Sequence, residues 1–124
     1  MTNLHQIYKC PICGNVVEVL HAGGGQLVCC GQPMELLSPK SEDVGFEKHL
    51  PVVEQLGNTV TVKIGSIPHP MEDGHYIEWI EVITDNQVYK KFLKPNEEAI
   101  AIFEITDVIN QVRCYCNLHG LWQK

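Results

Sequence analysis

Polar and apolar residues alternate most cleanly in Thr59-Val60-Thr61-Val62-Lys63-Ile64, which puts Val60, Val62 and Ile64 on one buried strand face. Four later stretches have a similar character. Tyr76 to Ile83 is rich in aromatic and β-branched side chains and closes at a turn on Asp85-Asn86. Val88 to Leu93 runs to a turn at Pro95-Asn96, and Ala99 to Ile105 and Val108 to Tyr115 complete the series. Short strands with turn signals at intervals of about eight to twelve residues predict a β-sandwich. No stretch carries the period of a long helix, and no internal repeat is visible. Nearer the start, Val16 to Leu20 reads as a strand, Gly23-Gly24-Gly25 as a flexible turn, and Leu27-Val28 leads into Cys29-Cys30. Ser38-Pro39-Lys40-Ser41-Glu42-Asp43 is polar, charged and proline-bearing, as a linker is. The predicted architecture is all-β. A small unit over residues 1–37 precedes a sandwich over residues 38–124, whose first residues, 38–44, are the linker.

Composition narrows the function classes. An apolar fraction of 44% is that of a globular protein and excludes disorder, and 124 residues give room for two small units at most. A net charge of -6 argues against nucleic acid or an anionic membrane as partner. The longest clean apolar run, Ala99 to Phe103, is far too short to span a bilayer, and Met1 to Ile7 has no apolar signal region. The expectation is a soluble, cytoplasmic protein.

Six cysteines change the picture further. Cys10-Pro11-Ile12-Cys13 is a knuckle of two thiolates, and fifteen residues later comes the adjacent pair Cys29-Cys30. With no export signal, reduced thiolates holding a metal are expected rather than disulfides. So small a unit cannot supply enough core on its own, and metal binding would carry much of its folding energy. A zinc ribbon spaces its second pair like its first. Adjacent cysteines must splay to reach one ion, so the site should be distorted. Spacing and thiolate softness leave iron and zinc both open. Residues 5–37 resemble desulforedoxin, a small rubredoxin-like iron protein with this cysteine pattern. The resemblance implies a mononuclear iron held by Cys10, Cys13, Cys29 and Cys30, and a homodimer built partly through this unit.

The second unit carries another set of donors. His69 and His75 flank the turn Pro70-Met71-Glu72-Asp73-Gly74, and His49 lies just before Pro51, in extended or loop backbone. Cys116 and His119 stand three apart at the end of the last predicted strand. Each lies at a strand end or in a loop, where a sandwich gathers its functional groups. Four imidazoles and a thiolate are one donor more than a closed tetrahedral zinc site uses, which points to an iron-like centre. Cys114, on the same strand face as Cys116, is a competing thiolate. His5 and His21 lie outside any motif, and Arg113 and Lys90-Lys91 read as solvated strand faces.

The segments Glu47-Lys48-His49-Leu50-Pro51, His69-Pro70-Met71, Tyr76-Ile77-Glu78-Trp79-Ile80 and Cys116-Asn117-Leu118-His119-Gly120 resemble neelaredoxin and the C-terminal part of desulfoferrodoxin. Together with the first unit, nearly the whole chain resembles the desulfoferrodoxin family, the two-iron superoxide reductases. The resemblance implies an immunoglobulin-like sandwich and two iron ions per chain. It also implies His49, His69, His75 and His119 in the equatorial plane of the second, ferrous iron. Cys116 is then axial, the sixth position is open, and Cys116 rather than Cys114 is the ligand. The implied reaction is one-electron reduction of superoxide to hydrogen peroxide, with rubredoxin or a similar external donor restoring the ferrous state. Lys48 is expected to attract the anion, and Glu47 to close the sixth position after oxidation. Two other readings stay open on the residues alone: a non-catalytic two-iron electron carrier and a zinc-stabilised interaction module.

Overall fold

In the computed structural model, residues 1–43 and 48–124 are described, and every regular element among them is a strand. The chain divides into two units, Met1–Ser38 and Pro39–Lys124. No helix among the described residues is long and apolar enough to cross a membrane.

The first unit holds β1 (Ile7–Lys9), β2 (Val16–Glu18), β3 (Val28–Cys29), β4 (Gln32–Pro33) and β5 (Glu35–Leu37). β2, β1 and β5 form an antiparallel sheet in that order, and β3 and β4 form a hairpin. Its buried hydrophobic residues are Ile7, Cys10 and Val19, while Ile12, Leu20 and Val28 face solvent. Three such side chains cannot offset the chain entropy of some forty residues, at roughly 1–2 kcal/mol each. Structure here must come from elsewhere.

The second unit is a sandwich of seven antiparallel strands of immunoglobulin-like type. One sheet holds β6 (Pro51–Leu56), β7 (Thr59–Ile64) and β10 (Ile100–Glu104), ordered β10-β7-β6. The other holds β8 (Ile77–Thr84), β9 (Val88–Phe92), β11 (Ile109–Cys116) and β12 (Gly120–Gln123), ordered β12-β11-β8-β9. Val60, Val62 and Ile64 pack from the first sheet against Ile80, Val82, Val112, Cys114, Cys116 and Trp122 from the second. The alternation read along β7 is therefore the core itself. β6 and β12 carry no such signal. β6 is an edge strand with one buried residue, and β12 offers only Leu121 and Trp122 to the interior.

Two expectations change. Arg113 is buried rather than solvated, and its Nε donates to the fully buried Glu81, whose other oxygen lies 3.0 Å from Lys90 Nζ. A carboxylate without solvent must be matched by cations, which alternation along single strands cannot reveal. Within the expected linker, Lys40 is zipped to β12: its N–H donates to the Leu121 carbonyl and its carbonyl accepts from Gln123, both at 2.9 Å. Lys40 is therefore part of the sandwich edge.

Candidate metal centres

The first centre is built from two turns. After β1, the Cys10 N–H donates to the Asn15 carbonyl at 2.8 Å and Gly14 N–H to the Cys10 carbonyl at 3.1 Å, which folds the knuckle back on itself. The Cys13 N–H then points at Cys10 Sγ, 3.4 Å away. On the other side, Cys30-Gly31 is the two-residue loop of the β3–β4 hairpin, with φ of 52° and 74°. Positive φ at both positions is the backbone of a tight type I′ hairpin. It is also how neighbouring cysteines reach one point: Cys29 ends a strand and Cys30 turns left-handed. The four sulfurs lie within 4.8 Å of one another, with Cys13–Cys29 at 3.5 Å and Cys29–Cys30 at 4.0 Å. A tetrahedral ion with metal–sulfur bonds of about 2.3 Å has sulfur edges of roughly 3.8 Å. The spacing fits one ion.

The titration of these thiols agrees. Cys10 is drawn down to about 6, chiefly by the Cys13 backbone N–H. Cys30 is pushed up to about 12 and Cys29 upward, in both cases first by the Cys13 side chain. Sulfurs this close cannot all be anions unless a cation stands among them.

The second centre gathers His49, His69, His75, Cys116 and His119, whose donor atoms lie within 4.8 Å of one another. His49 precedes β6. Its N–H donates to Asp43 Oδ1 at 2.7 Å, and its imidazole stacks on the Trp122 indole at 4.4 Å with 9° between planes. Gly65 follows β7 at φ +88°, where a Cβ would stand 2.6 Å from the Lys48 carbonyl oxygen and against the Ile67 carbonyl. Only glycine permits this close pass of the loop before β8 beneath Lys48-His49. His69 donates Nδ1–H to the Pro70 carbonyl at 2.7 Å, which fixes the tautomer and leaves Nε2 for a metal. The His75 turn is closed by paired Glu72–His75 backbone bonds and stapled by Asn117. Asn117 Nδ2 donates to the Gly74 carbonyl at 3.0 Å, and its Oδ1 accepts from Tyr76 N–H at 2.9 Å. Cys116 ends β11 beyond a bulge, where Tyr115 faces Trp79 but Cys116 faces Ile77, and His119 sits in the β11–β12 turn.

Ring contacts order these ligands. His49 meets His69 at 4.6 Å, His69 meets His75 at 4.9 Å, His75 meets His119 at 5.1 Å, and His119 meets His49 at 5.0 Å. The circuit closes, so His49 lies opposite His75 and His69 opposite His119. Cys116 Sγ is 3.7 Å from His69 Nε2 and 3.8 Å from His119 Nδ1, nearly equidistant from an opposite pair; His49 and His75 already fill the other two corners, so the sulfur stands off the circuit of rings. Adjacent His49 Nε2 and His119 Nδ1 are 3.2 Å apart, close to the roughly 3.0 Å edge set by two right-angled metal–nitrogen bonds of about 2.1 Å. Five borderline-to-soft donors arranged as a square with one sulfur off it fit a six-coordinate iron better than a closed zinc. Burial is graded: Cys116, His49 and His69 are enclosed, His75 is half-buried and His119 is exposed.

Cys114 is fully buried and donates its S–H to the His49 carbonyl at 3.3 Å, and burial first, then the Cys116 charge, pushes its thiol upward. It stays outside the donor set. Lys48 lies beside His49, while Glu47 falls outside the described residues. Sequence reasoning missed Asp43, Trp122 and Asn117. Asn117 alone had a signal, its place inside the Cys-Asn-Leu-His-Gly segment.

Fold and sites define a class: an all-β, non-haem metalloprotein with one all-thiolate centre and one square of imidazoles with a thiolate off it. Residues 2–37 match the desulfoferrodoxin N-terminal domain and residues 41–124 the desulfoferrodoxin domain, so the chain belongs to the desulfoferrodoxin family. A desulfoferrodoxin homolog of Archaeoglobus fulgidus is 59% identical over 99% of this chain and 98% of that protein. Desulfoferrodoxin of Nitratidesulfovibrio vulgaris is 54% identical over 99% and 98%. The superoxide reductase of Treponema pallidum superposes with a TM-score of 0.80 at 29% identity, covering 96% of each chain. Both donor sets can bind iron.

Proposed function

We propose that this chain is a superoxide reductase working at the four-histidine, one-cysteine centre. His49, His69, His75, Cys116 and His119 would hold an iron whose chemistry there would be to give the one electron that, with two protons from solvent, turns superoxide into hydrogen peroxide. The observation that carries the reading is the circuit of four rings with a single sulfur, five donors among the described residues, one fewer than a six-coordinate iron takes, which would leave a position for a small ligand. Catalytic metal sites keep such a position and structural ones close it. An outer-sphere electron carrier gains nothing from it.

The chain's own residues do the rest. The Pro70 carbonyl orients the His69 ring, while Asp43 holds the His49 main-chain N–H and Trp122 supports its ring, so both imidazoles are placed in advance for a metal. The exposed edge of His119 is the path for electrons from an external donor, a rubredoxin or similar one-electron protein. Lys48 draws in the anion. The net charge of -6 opposes superoxide, but charges beyond a Debye length of about 8 Å are screened. One ammonium ~5 Å from the bound anion is worth roughly 3 kcal/mol at an effective dielectric near 20. Glu47, a hard carboxylate donor, would serve as a further ligand for a ferric iron held there. Glu47→Ala is expected to leave the encounter rate nearly intact while shifting the ferric absorption. Identical ferric spectra would remove it as a ligand. The working protein is a cytoplasmic homodimer.

The test mixes pulse-generated superoxide with the reduced, iron-loaded protein and counts products. One peroxide per ferrous centre without oxygen is expected. Oxygen evolved alongside peroxide would mean dismutation, and unconsumed superoxide would leave an electron carrier.

A further inference from the structure

Lys40 lies where a linker was expected, yet its side chain reaches the backbone of one ligand of the second centre and the indole that supports another. Its Nζ donates to the His119 carbonyl at 2.8 Å and lies 4.9 Å from the centroid of the Trp122 indole. That indole is the surface on which His49 stacks. One ammonium therefore grips the backbone of one ligand and the aromatic support of its neighbour in the square. These are the ligands whose donor nitrogens are 3.2 Å apart. The grip is anchored, because the main chain of Lys40 is bonded on both sides of Trp122, to Leu121 and to Gln123. Asp43, three residues on, holds the His49 N–H. The short segment from Lys40 to Asp43 thus ties down both ligands from outside the donor set.

We infer that Lys40 is a positioning residue of the second centre: its ammonium holds His49 and His119 in register and raises the reduction potential of iron bound there. A hydrogen bond from a charged donor is stronger and shorter than a neutral one, so the His119 carbonyl is held firmly. A cation over an indole is attracted to the ring face, which presses Trp122 into place against His49. A fixed positive charge near a redox metal disfavours the more positive oxidation state and so favours ferrous over ferric. The inference rests on the reading that this donor set holds a redox-active iron. It does not need the iron to turn over superoxide.

The test is a redox titration of the iron-loaded full chain, followed by visible absorption and by electron paramagnetic resonance of the ferric second centre. The all-thiolate iron in the same molecule serves as internal control. Lys40→Met is expected to lower the potential of the second centre and alter the anisotropy of its ferric signal. Lys40→Arg, which keeps charge, donor and cation–π contact, is expected to match the parent, and the first iron's spectrum to stay constant throughout. The inference is overturned if Lys40→Met leaves potential and ferric signal unchanged, or if Lys40→Arg displaces them as far as Lys40→Met does. Should Lys40→Met fail to retain the second iron, Lys40→Gln is read by the same two criteria. If the shift appears in protein that does not consume superoxide, the reductase reading fails and the role of Lys40 is upheld.

Discussion

The four sulfurs of the first centre come from residues 10 to 30, whereas the donors of the second are drawn from residues 49 to 119. The first set is held by a knuckle and a two-residue hairpin loop inside a unit with almost no apolar core. The second is held at the ends of β6, β8 and β11 and in the turns between strands, all resting on a core that needs no metal to pack. In the first unit the metal makes the fold. In the second the fold makes the metal site. This difference explains why all-thiolate ligation suits one and a preformed set of four imidazoles and one thiolate suits the other: a site whose ligands collapse around the ion closes completely, while ligands fixed by a separate framework need not close around it.

The comparison can be broken most decisively by removing the metal. Chelation is expected to abolish amide protection across residues 1–38 while the strands of the sandwich remain protected, as read by hydrogen exchange. Joint loss of both, or of neither, would show that the two units do not differ in what stabilises them. Next in size is Gly65→Ala, which forces a Cβ onto two carbonyls at a positive φ. A destabilisation of about 1–3 kcal/mol is expected, with a perturbed second centre and an untouched first. Denaturant melting and the two visible spectra read these separately. Lys48→Ile sharpens the functional half: a tenfold or greater drop in the bimolecular rate with superoxide, about 1.4 kcal/mol in barrier, is expected without change in either spectrum. An unchanged rate and salt dependence would take Lys48 out of the mechanism. The most local effect is that of Gly31→Ala, at φ +74° beside Cys30. A left-handed non-glycine residue costs roughly 1–2 kcal/mol, and the effect should appear as faster loss of the first metal alone.

Locality also decided what could be read in advance. β7 runs from Thr59 to Ile64 as its alternation indicated, and β8 to β11 fall within a residue or two of the stretches rich in β-branched side chains. Cys10, Cys13, Cys29 and Cys30 were legible as one group because two closely spaced cysteine pairs within about twenty residues are a metal-binding pattern in themselves. The histidines and Cys116 were legible as donors, but neither their order around the square nor the position of sulfur off it is written in any local pattern.

Residue type and short-range spacing by themselves determined the all-β character and which side chains are chemically able to bind a metal. Tertiary structure alone decided that Cys114 turns to the His49 carbonyl while Cys116 faces the rings, and that Glu81 draws Arg113 and Lys90 to itself. It alone brought Lys40, Asp43 and Trp122 behind the ligands. The physical reason is that a pleated strand fixes the side of the sheet a residue faces. What stands opposite is set by register, bulges and crossing strands, and these exist only once distant segments have packed.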